Sequence, residues 1–180
     1  MAEKKIYAKF IAAFWMVARG KYPFIKKLDK PFCPAIPKSS SFYLGLHHKL
    51  EKHILINFQP SNKSWQVGEF TINIHISEKF EPTSNFHPKG GEFERFADGF
   101  YRYPSVINRD KWWCLNCTSL DSSLQSLIDY WRPSSYEVED IIIQEAVQDV
   151  CLTLENGLLD RLGFLREEDG RKVDCVEEVK

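Results

Sequence analysis

One strictly alternating stretch constrains the fold of this chain more than any other feature. In Glu69–Ser77, EFTINIHIS, apolar and polar side chains alternate without a break. Side chains on a β-strand point to opposite faces with a period of two, so this strand has one apolar and one polar face. Such a pattern is typical of a half-buried strand in an antiparallel sheet. The apolar positions, which we expect to be buried against helices, are Phe70, Ile72, Ile74 and Ile76.

Further segments alternate in the same way and predict a sheet of about five strands. Two precede the central strand, at 42–46 and 54–58, and a turn at 48–52 joins them. Two more follow it, at 100–107 and 110–115. Consecutive strands with short connections form an antiparallel meander, so we expect a mostly antiparallel sheet.

Helical periodicity at both ends of the chain predicts the helices that cover this sheet. Residues 3–19 place apolar side chains on one helix face, and Gly20 follows as a terminator. A second amphipathic segment covers 120–131, and a third begins at a capping box, Ser134 to Glu137, and carries an apolar stripe to Leu158. Strands flanked by helices, without strict alternation, define an α+β fold with helices packed on one face.

The rest of the chain forms connections around a single domain. Residues 21–40 contain four prolines and predict an extended arm, and Gly157 ends or kinks the last helix. We place one α+β domain at residues 1–165. Residues 166–180 are charged and aperiodic, which predicts a frayed C-terminal tail.

An aromatic first strand, a Phe-Thr-x-Asn strand and a late Trp-Trp strand follow the leading helix in this order. The residues that form these motifs are Phe42, Tyr43, Phe70, Thr71, Asn73, Arg102, Trp112 and Trp113. In its motifs and order of elements, over roughly residues 5–131, the chain resembles the bacterial domain-of-unknown-function family numbered 4304. The resemblance implies this fold and a bacterial source, and it brings no assigned activity.

Charge and cysteine content favour a cytoplasmic protein that binds neither nucleic acid nor a membrane. The formal net charge is -1, so no overall field attracts nucleic acid or an anionic lipid surface. No run of about 18 apolar residues, the length of a membrane-spanning helix, occurs. The five cysteines are odd in number and irregularly spaced, which argues against a disulfide framework and for a reducing compartment.

Cys114 and Cys117 have the spacing of one half of a zinc site. A structural zinc site commonly uses two such pairs, and the sequence contains no second pair. Cys114 also lies on a predicted strand, which favours a buried thiol. We therefore predict neither a metal nor a cofactor.

The polar face of the central strand supplies the candidate site residues. The residues predicted to bind a small ligand are Asn57, Gln59, Thr71, Asn73, His75 and Arg102. The segment 78–99 follows directly, and its glycines would let it act as a lid. A histidine among amides can perform acid–base chemistry. The alternative is a solvated sheet face with no site at all.

Two hypotheses about function stay open. The first is a non-enzymatic binding or accessory protein with a protein partner, as immunity proteins have. It is favoured because the sequence contains no Ser-His-Asp order, HExxH motif or Gly-rich phosphate loop. The second is an enzyme or small-ligand-binding protein with its site on the polar sheet face, beneath segment 78–99. The sequence leaves the oligomeric state open.

Overall fold

In the part of the chain that it describes, the computed structural model has two long helices and a β-sheet. The residues that the structure describes are 2–33, 36, 38–47, 50–61, 68–81, 88–89, 98–103, 105–106, 109–110, 112–115, 135–160, 162, 164, 167–168 and 171–172. The predicted helix at 120–131 and most of segment 78–99 lie outside these residues.

The regular elements begin and end as follows. The helices are α1 (Ala2–Lys21) and α2 (Ser135–Leu154), and a π-helical turn, Glu155–Leu159, extends α2. The strands are β1 (Lys26–Lys27), β2 (Ser40–His47), β3 (Lys52–Pro60), β4 (Glu69–Ser77), β5 (Pro88–Lys89), β6 (Gly99–Tyr103), β7 (Ser105–Val106), β8 (Arg109–Asp110), β9 (Trp113–Cys114), β10 (Glu167–Glu168) and β11 (Arg171–Lys172).

The main sheet has the order β1-β2-β3-β4-β6-β5, and β9 also pairs with β4. All its ladders are antiparallel except that between β5 and β6. The three long strands β2, β3 and β4 form the expected meander, and the α+β prediction is confirmed. The pairs β7–β8 and β10–β11 form separate two-stranded ladders, the second within the predicted tail.

The last two strands of the main sheet differ from the prediction. We expected 100–107 and 110–115 to be two continuous strands, whereas β6 ends at Tyr103 and β9 begins at Trp113. Both pair with β4, β6 along Ile72 to Ile76 and β9 along Glu69 and Phe70. Pro104, which has no N–H to donate to a ladder, directly follows β6.

One face of the sheet is buried beneath α1 and α2, as the alternation in β4 predicts. Ile54 pairs with Ile76, and Ile56 with Ile74, and all four side chains are fully buried. Phe10 of α1 lies against this face, and its ring centroid is 4.4 Å from that of Phe70. A buried ring of this size stabilises the fold by roughly 1.5–3 kcal/mol through loss of contact with water.

The two helices run in the same direction across the sheet. Near their amino ends Lys9 Nζ lies 2.5 Å from Glu139 Oε1, and near their carboxyl ends Lys21 Nζ lies 2.5 Å from Glu155 Oε1. Among the described residues, neither helix is long and apolar enough to cross a membrane.

Gly157 explains the irregular end of α2. A Cβ atom at this position would lie 1.8 Å from the Tyr103 hydroxyl. That hydroxyl donates a hydrogen bond to the Thr153 carbonyl oxygen at 3.0 Å. The predicted end or kink is therefore a π-helical turn, in which a residue without a side chain admits a tyrosine from β6.

The other face of the sheet is also buried, and the solvated face considered above is therefore wrong. Phe32, Cys33 and Ile36 of the proline-bearing arm pack against this face. The sheet residues that they contact are Tyr43, Leu55 and Phe100. Because β2, β3 and β6 each place an apolar residue on the nominally polar face, the arm closes a second, smaller core over it.

Candidate functional site

Four of the six predicted ligand-binding residues lie in one hydrogen-bonded network. Asn73 Nδ2 donates to Gln59 Oε1 at 3.0 Å and, more weakly, to Asn57 Oδ1 at 3.5 Å. Arg102 Nη1 donates to the same Gln59 Oε1 at 3.1 Å. The strand register explains this arrangement, since Asn73 lies opposite Asn57 on one side and Arg102 on the other.

Two serines that the sequence did not single out belong to this network. Asn57 Nδ2 donates to Ser39 Oγ at 2.9 Å and to Ser41 Oγ at 3.0 Å. Ser41 Oγ accepts the backbone N–H of Phe32 at 2.9 Å. Asn57 therefore fastens the arm to the sheet. The available signal was the position of Ser41, two residues before Tyr43 and so on the same face of its strand.

His75 is enclosed by aromatic rings and is only 6% exposed. Its ring stacks on Phe100 at a centroid distance of 4.3 Å and lies 4.8 Å from Phe32. Burial lowers the pKa of His75 to about 4, although the nearby Asp98 carboxylate opposes this shift. A neutral imidazole held in an apolar enclosure is poorly placed for acid–base chemistry at neutral pH.

Three buried polar atoms on this face of β4 lack partners among the described residues. They are Glu69 Oε2, Asn73 Oδ1 and His75 Nδ1, and the last two belong to buried side chains. Thr71, the remaining predicted site residue, is fully buried on the same strand. The arrangement is a polar layer with unsatisfied buried atoms, and the arm covers part of it.

The ends of the predicted lid, segment 78–99, are held together by ionic contacts. Lys52 Nζ lies 2.8 Å from Asp98 Oδ1, and Asp98 Oδ2 accepts the backbone N–H of Glu78 at 3.4 Å. Although burial opposes it, the hydrogen bond from Lys52 helps to keep the pKa of Asp98 below its usual value. The lid prediction itself falls mostly outside the described residues.

A groove between α1 and α2, which we call the helix groove, forms a cavity of about 390 Å³ on the outer surface of the helices. Its lining includes Ala13, Val17, Gln144, Val147, Gln148 and Leu152. Three large apolar side chains on these helices are exposed, Met16 by 60%, Val17 by 44% and Leu152 by 47%. Sequence reasoning missed this site, although Met16 and Leu152 both fall outside the apolar stripes of their helices.

One end of the helix groove carries four side chains with titratable groups. Both the Tyr22 hydroxyl and the Lys21 ammonium donate to the Glu155 carboxylate, which neutralises the lysine. Burial raises the pKa of the neighbouring Cys151 thiol. A thiol with a raised pKa is a poor nucleophile, so this end of the groove is suited to contact and not to covalent catalysis.

The predicted absence of a metal is not tested, because Cys117 lies outside the described residues. Within those residues, no group of three or more His, Cys, Asp or Glu side chains could hold a metal ion. Cys114 is half-buried on β9.

Comparisons of this chain with protein-family models, curated proteins and solved structures give no match. The resemblance to family 4304 therefore stays a prediction.

Proposed function

We propose that this chain is a non-enzymatic protein-binding protein and that its partner docks in the helix groove. The observation that supports the proposal is the exposure of Met16, Val17 and Leu152 beside an apolar groove. Transfer of such surface from water is worth about 25 cal/mol per Å². A contiguous apolar patch with a polar rim is therefore a surface that favours a protein partner.

The shape of the helix groove supports the same proposal. Its lining runs from Ala13 to Lys21 on α1 and from Gln144 to Leu152 on α2. The eight residue-to-residue steps on each side correspond to about 12 Å, or roughly two helical turns. A groove of this length suits the apolar face of a helical partner element.

The compartment is part of the proposal. The five cysteines of the chain are odd in number and irregularly spaced, which argues against a disulfide framework. Together with the family resemblance, this favours a bacterial cytoplasm, where reduced cysteines persist.

A capture experiment with matched variants tests the proposal. Native lysate of the source organism is passed over three immobilised forms of the chain: wild type, Leu152→Glu and Phe80→Glu. Phe80 is the matched control, because it is also exposed, by 45%, but packs near the opposite face of the sheet, on Phe32. We expect a stoichiometric partner on the wild type and on Phe80→Glu that is lost on Leu152→Glu. Equal capture by all three forms contradicts the proposal.

A second candidate function rests on the buried polar layer. We propose as the alternative an enzyme or small-ligand-binding protein whose ligand forms hydrogen bonds with Asn73 Oδ1 and His75 Nδ1. Each buried polar atom without a partner costs about 1–3 kcal/mol, and a small polar ligand would remove that cost.

Native mass spectrometry of the purified chain tests this alternative. A bound small molecule adds mass to the wild type, and the added mass should disappear in the variant His75→Phe, which removes one of these two polar atoms. An unmodified mass for the wild type, together with ordered water at both atoms in a crystal structure, would contradict it.

A further inference from the structure

We propose that the partner in the helix groove is a second copy of this chain, in a two-fold dimer in which α1 of each copy packs on α2 of the other. This inference rests on the proposed function, since it names the occupant of the same groove. It is carried by three independent features of the helical surface: its shape, its register and its charge.

The outer surface carries both a protruding apolar ridge and an apolar groove. The exposed positions of α1 include Ala8, Ala12, Met16, Val17 and Gly20, which are all apolar or small. The helix groove lies beside this ridge, between α1 and α2. A two-fold interface uses the same patch on both subunits and so requires a surface that complements itself. A ridge and a groove side by side meet this requirement, and a flexible methionine fills an irregular gap well.

The helix register places the two most exposed apolar residues at similar heights. The ion pairs Lys9–Glu139 and Lys21–Glu155 show that α1 and α2 are parallel. Measured from the second pair, Met16 and Leu152 differ in height by two residues, and measured from the first pair by six. These differences correspond to about 3–9 Å along the helix axis. A two-fold axis parallel to the helices therefore brings Met16 of each copy close to Leu152 of the other.

The charges of the two helices favour a two-fold axis parallel to the helices over one perpendicular to them. Helix α1 contains five basic residues and one acidic residue, and Lys9 and Lys21 already pair with glutamates of the same subunit, which leaves a net charge of 5 − 1 − 2 = +2. Helix α2 contains five acidic residues and no basic residue, and without the paired Glu139 its net charge is −5 + 1 = −4. An axis parallel to the helices places each basic α1 over an acidic α2, whereas an in-plane axis perpendicular to them stacks like on like. Unlike charges across an interface favour association and fix its orientation.

The size of the surface suits a reversible dimer. Each helix has 20 residues, which gives a length of about 30 Å. Two helices side by side cover a width of about 20 Å, so each copy buries roughly 600 Å² and the dimer about 1,200 Å². That area lies at the lower end of specific interfaces, so the association should depend on concentration and weaken with salt.

Sedimentation equilibrium of the full chain tests this inference. The monomer has a mass of 21.0 kDa, so the dimer has 2 × 21.0 = 42.0 kDa. We expect wild type to approach the dimer mass at about 100 µM, and Met16→Glu or Leu152→Lys to raise the dissociation constant at least about tenfold. Phe80→Glu is the matched control and should leave it unchanged. Circular dichroism confirms that each variant is folded, as expected at exposed positions.

A mixture of the two interface variants tests the geometry itself. In an equimolar mixture of Met16→Glu and Leu152→Lys, one contact pairs the new glutamate with the new lysine and the other keeps Met16 on Leu152. We therefore expect the mixture to dimerise at least about tenfold more tightly than either variant alone, as a charge pair across an interface allows. Weakening by both variants without recovery in the mixture overturns the α1-on-α2 arrangement.

Failure of the inference is distinguishable from failure of the proposed function. A wild type that stays monomeric at about 100 µM, well above micromolar affinity, overturns the dimer. If such a monomer still captures a foreign protein through a Leu152-dependent contact, the proposed function survives and only the identity of the partner was wrong. Absence of both associations overturns the two proposals together.

Discussion

Acidification should destabilise the folded protein through one buried histidine. His75 has a pKa of about 4 in the folded protein, against 6.5 for a free histidine. Between these values the unfolded chain binds a proton that the folded protein does not bind. The contribution of the neutral His75 to the stability of the folded protein is therefore fully present above about pH 6.5 and is lost as the pH falls towards 4.

The magnitude follows from the two pKa values. At about pH 5 the unfolded histidine is almost fully protonated and the folded one only about a tenth, so the unfolding free energy is lower by about 2 kcal/mol than at about pH 8. Below pH 4 the full loss amounts to about 3 kcal/mol, since one pKa unit corresponds to about 1.4 kcal/mol. The physical cause is burial between Phe32 and Phe100, which withholds water from the charged imidazolium.

Urea unfolding between about pH 5 and pH 8, followed by tryptophan fluorescence, measures this effect. The variant His75→Phe keeps an aromatic ring in the stack and removes the titration, so it should lack the loss of about 2 kcal/mol. The carboxylates of Asp98 and Glu155 have lowered pKa values and act at lower pH, in both proteins alike. His53, whose pKa burial also lowers, is controlled by His53→Gln. Equal losses in wild type and His75→Phe would refute the reasoning.

Three further predictions concern the packing of the fold. Gly157→Ala should lower the unfolding free energy, measured by urea unfolding, by at least about 2 kcal/mol, because the new Cβ would overlap the Tyr103 hydroxyl. The double variant Gly157→Ala/Tyr103→Phe should recover part of that loss, because it lacks this hydroxyl. Asn57→Leu should lower the unfolding free energy by about 2–3 kcal/mol, because it removes the hydrogen bonds to Ser39 and Ser41 that hold the arm. A loss below about 0.5 kcal/mol would contradict a role of Asn57 in holding the arm. Phe10→Ala should lower the unfolding free energy by about 3–5 kcal/mol, and Phe80→Ala should lower it by less than half as much, since the Phe10 ring is fully buried and the Phe80 ring is exposed.

The sequence of β4 alone was enough to predict the helix-covered core, because the alternation within this one strand shows which of its side chains are buried. Ile72 and Ile74 alternate with polar residues, and both are fully buried against α1 and its neighbours. The same periodicity gave the bounds of α1 within a few residues, since a helix that covers a sheet needs one continuous apolar stripe.

The second face could not be predicted in the same way, because its burial depends on residues far apart in the chain. Phe32 and Ile36 lie among prolines, where no period reveals which side faces inward. Tyr43, Leu55 and Phe100 each occupy one position on a face that is otherwise polar. Only their convergence across three strands shows that the arm must cover it.

The burial of both sheet faces determines where the described part of this protein can present a binding surface. Asn57 donates to Ser39 of the arm and to Ser41 of β2, and Gln59 accepts from both Asn73 and Arg102. A ligand that entered this layer would have to displace hydrogen bonds that also hold the arm, each worth about 0.5–1.5 kcal/mol. The helix groove carries no such cost, because Met16 and Leu152 already face water and gain by leaving it. On this energetic ground we propose association through the helices, and not ligand binding in the polar layer, as the function of this protein.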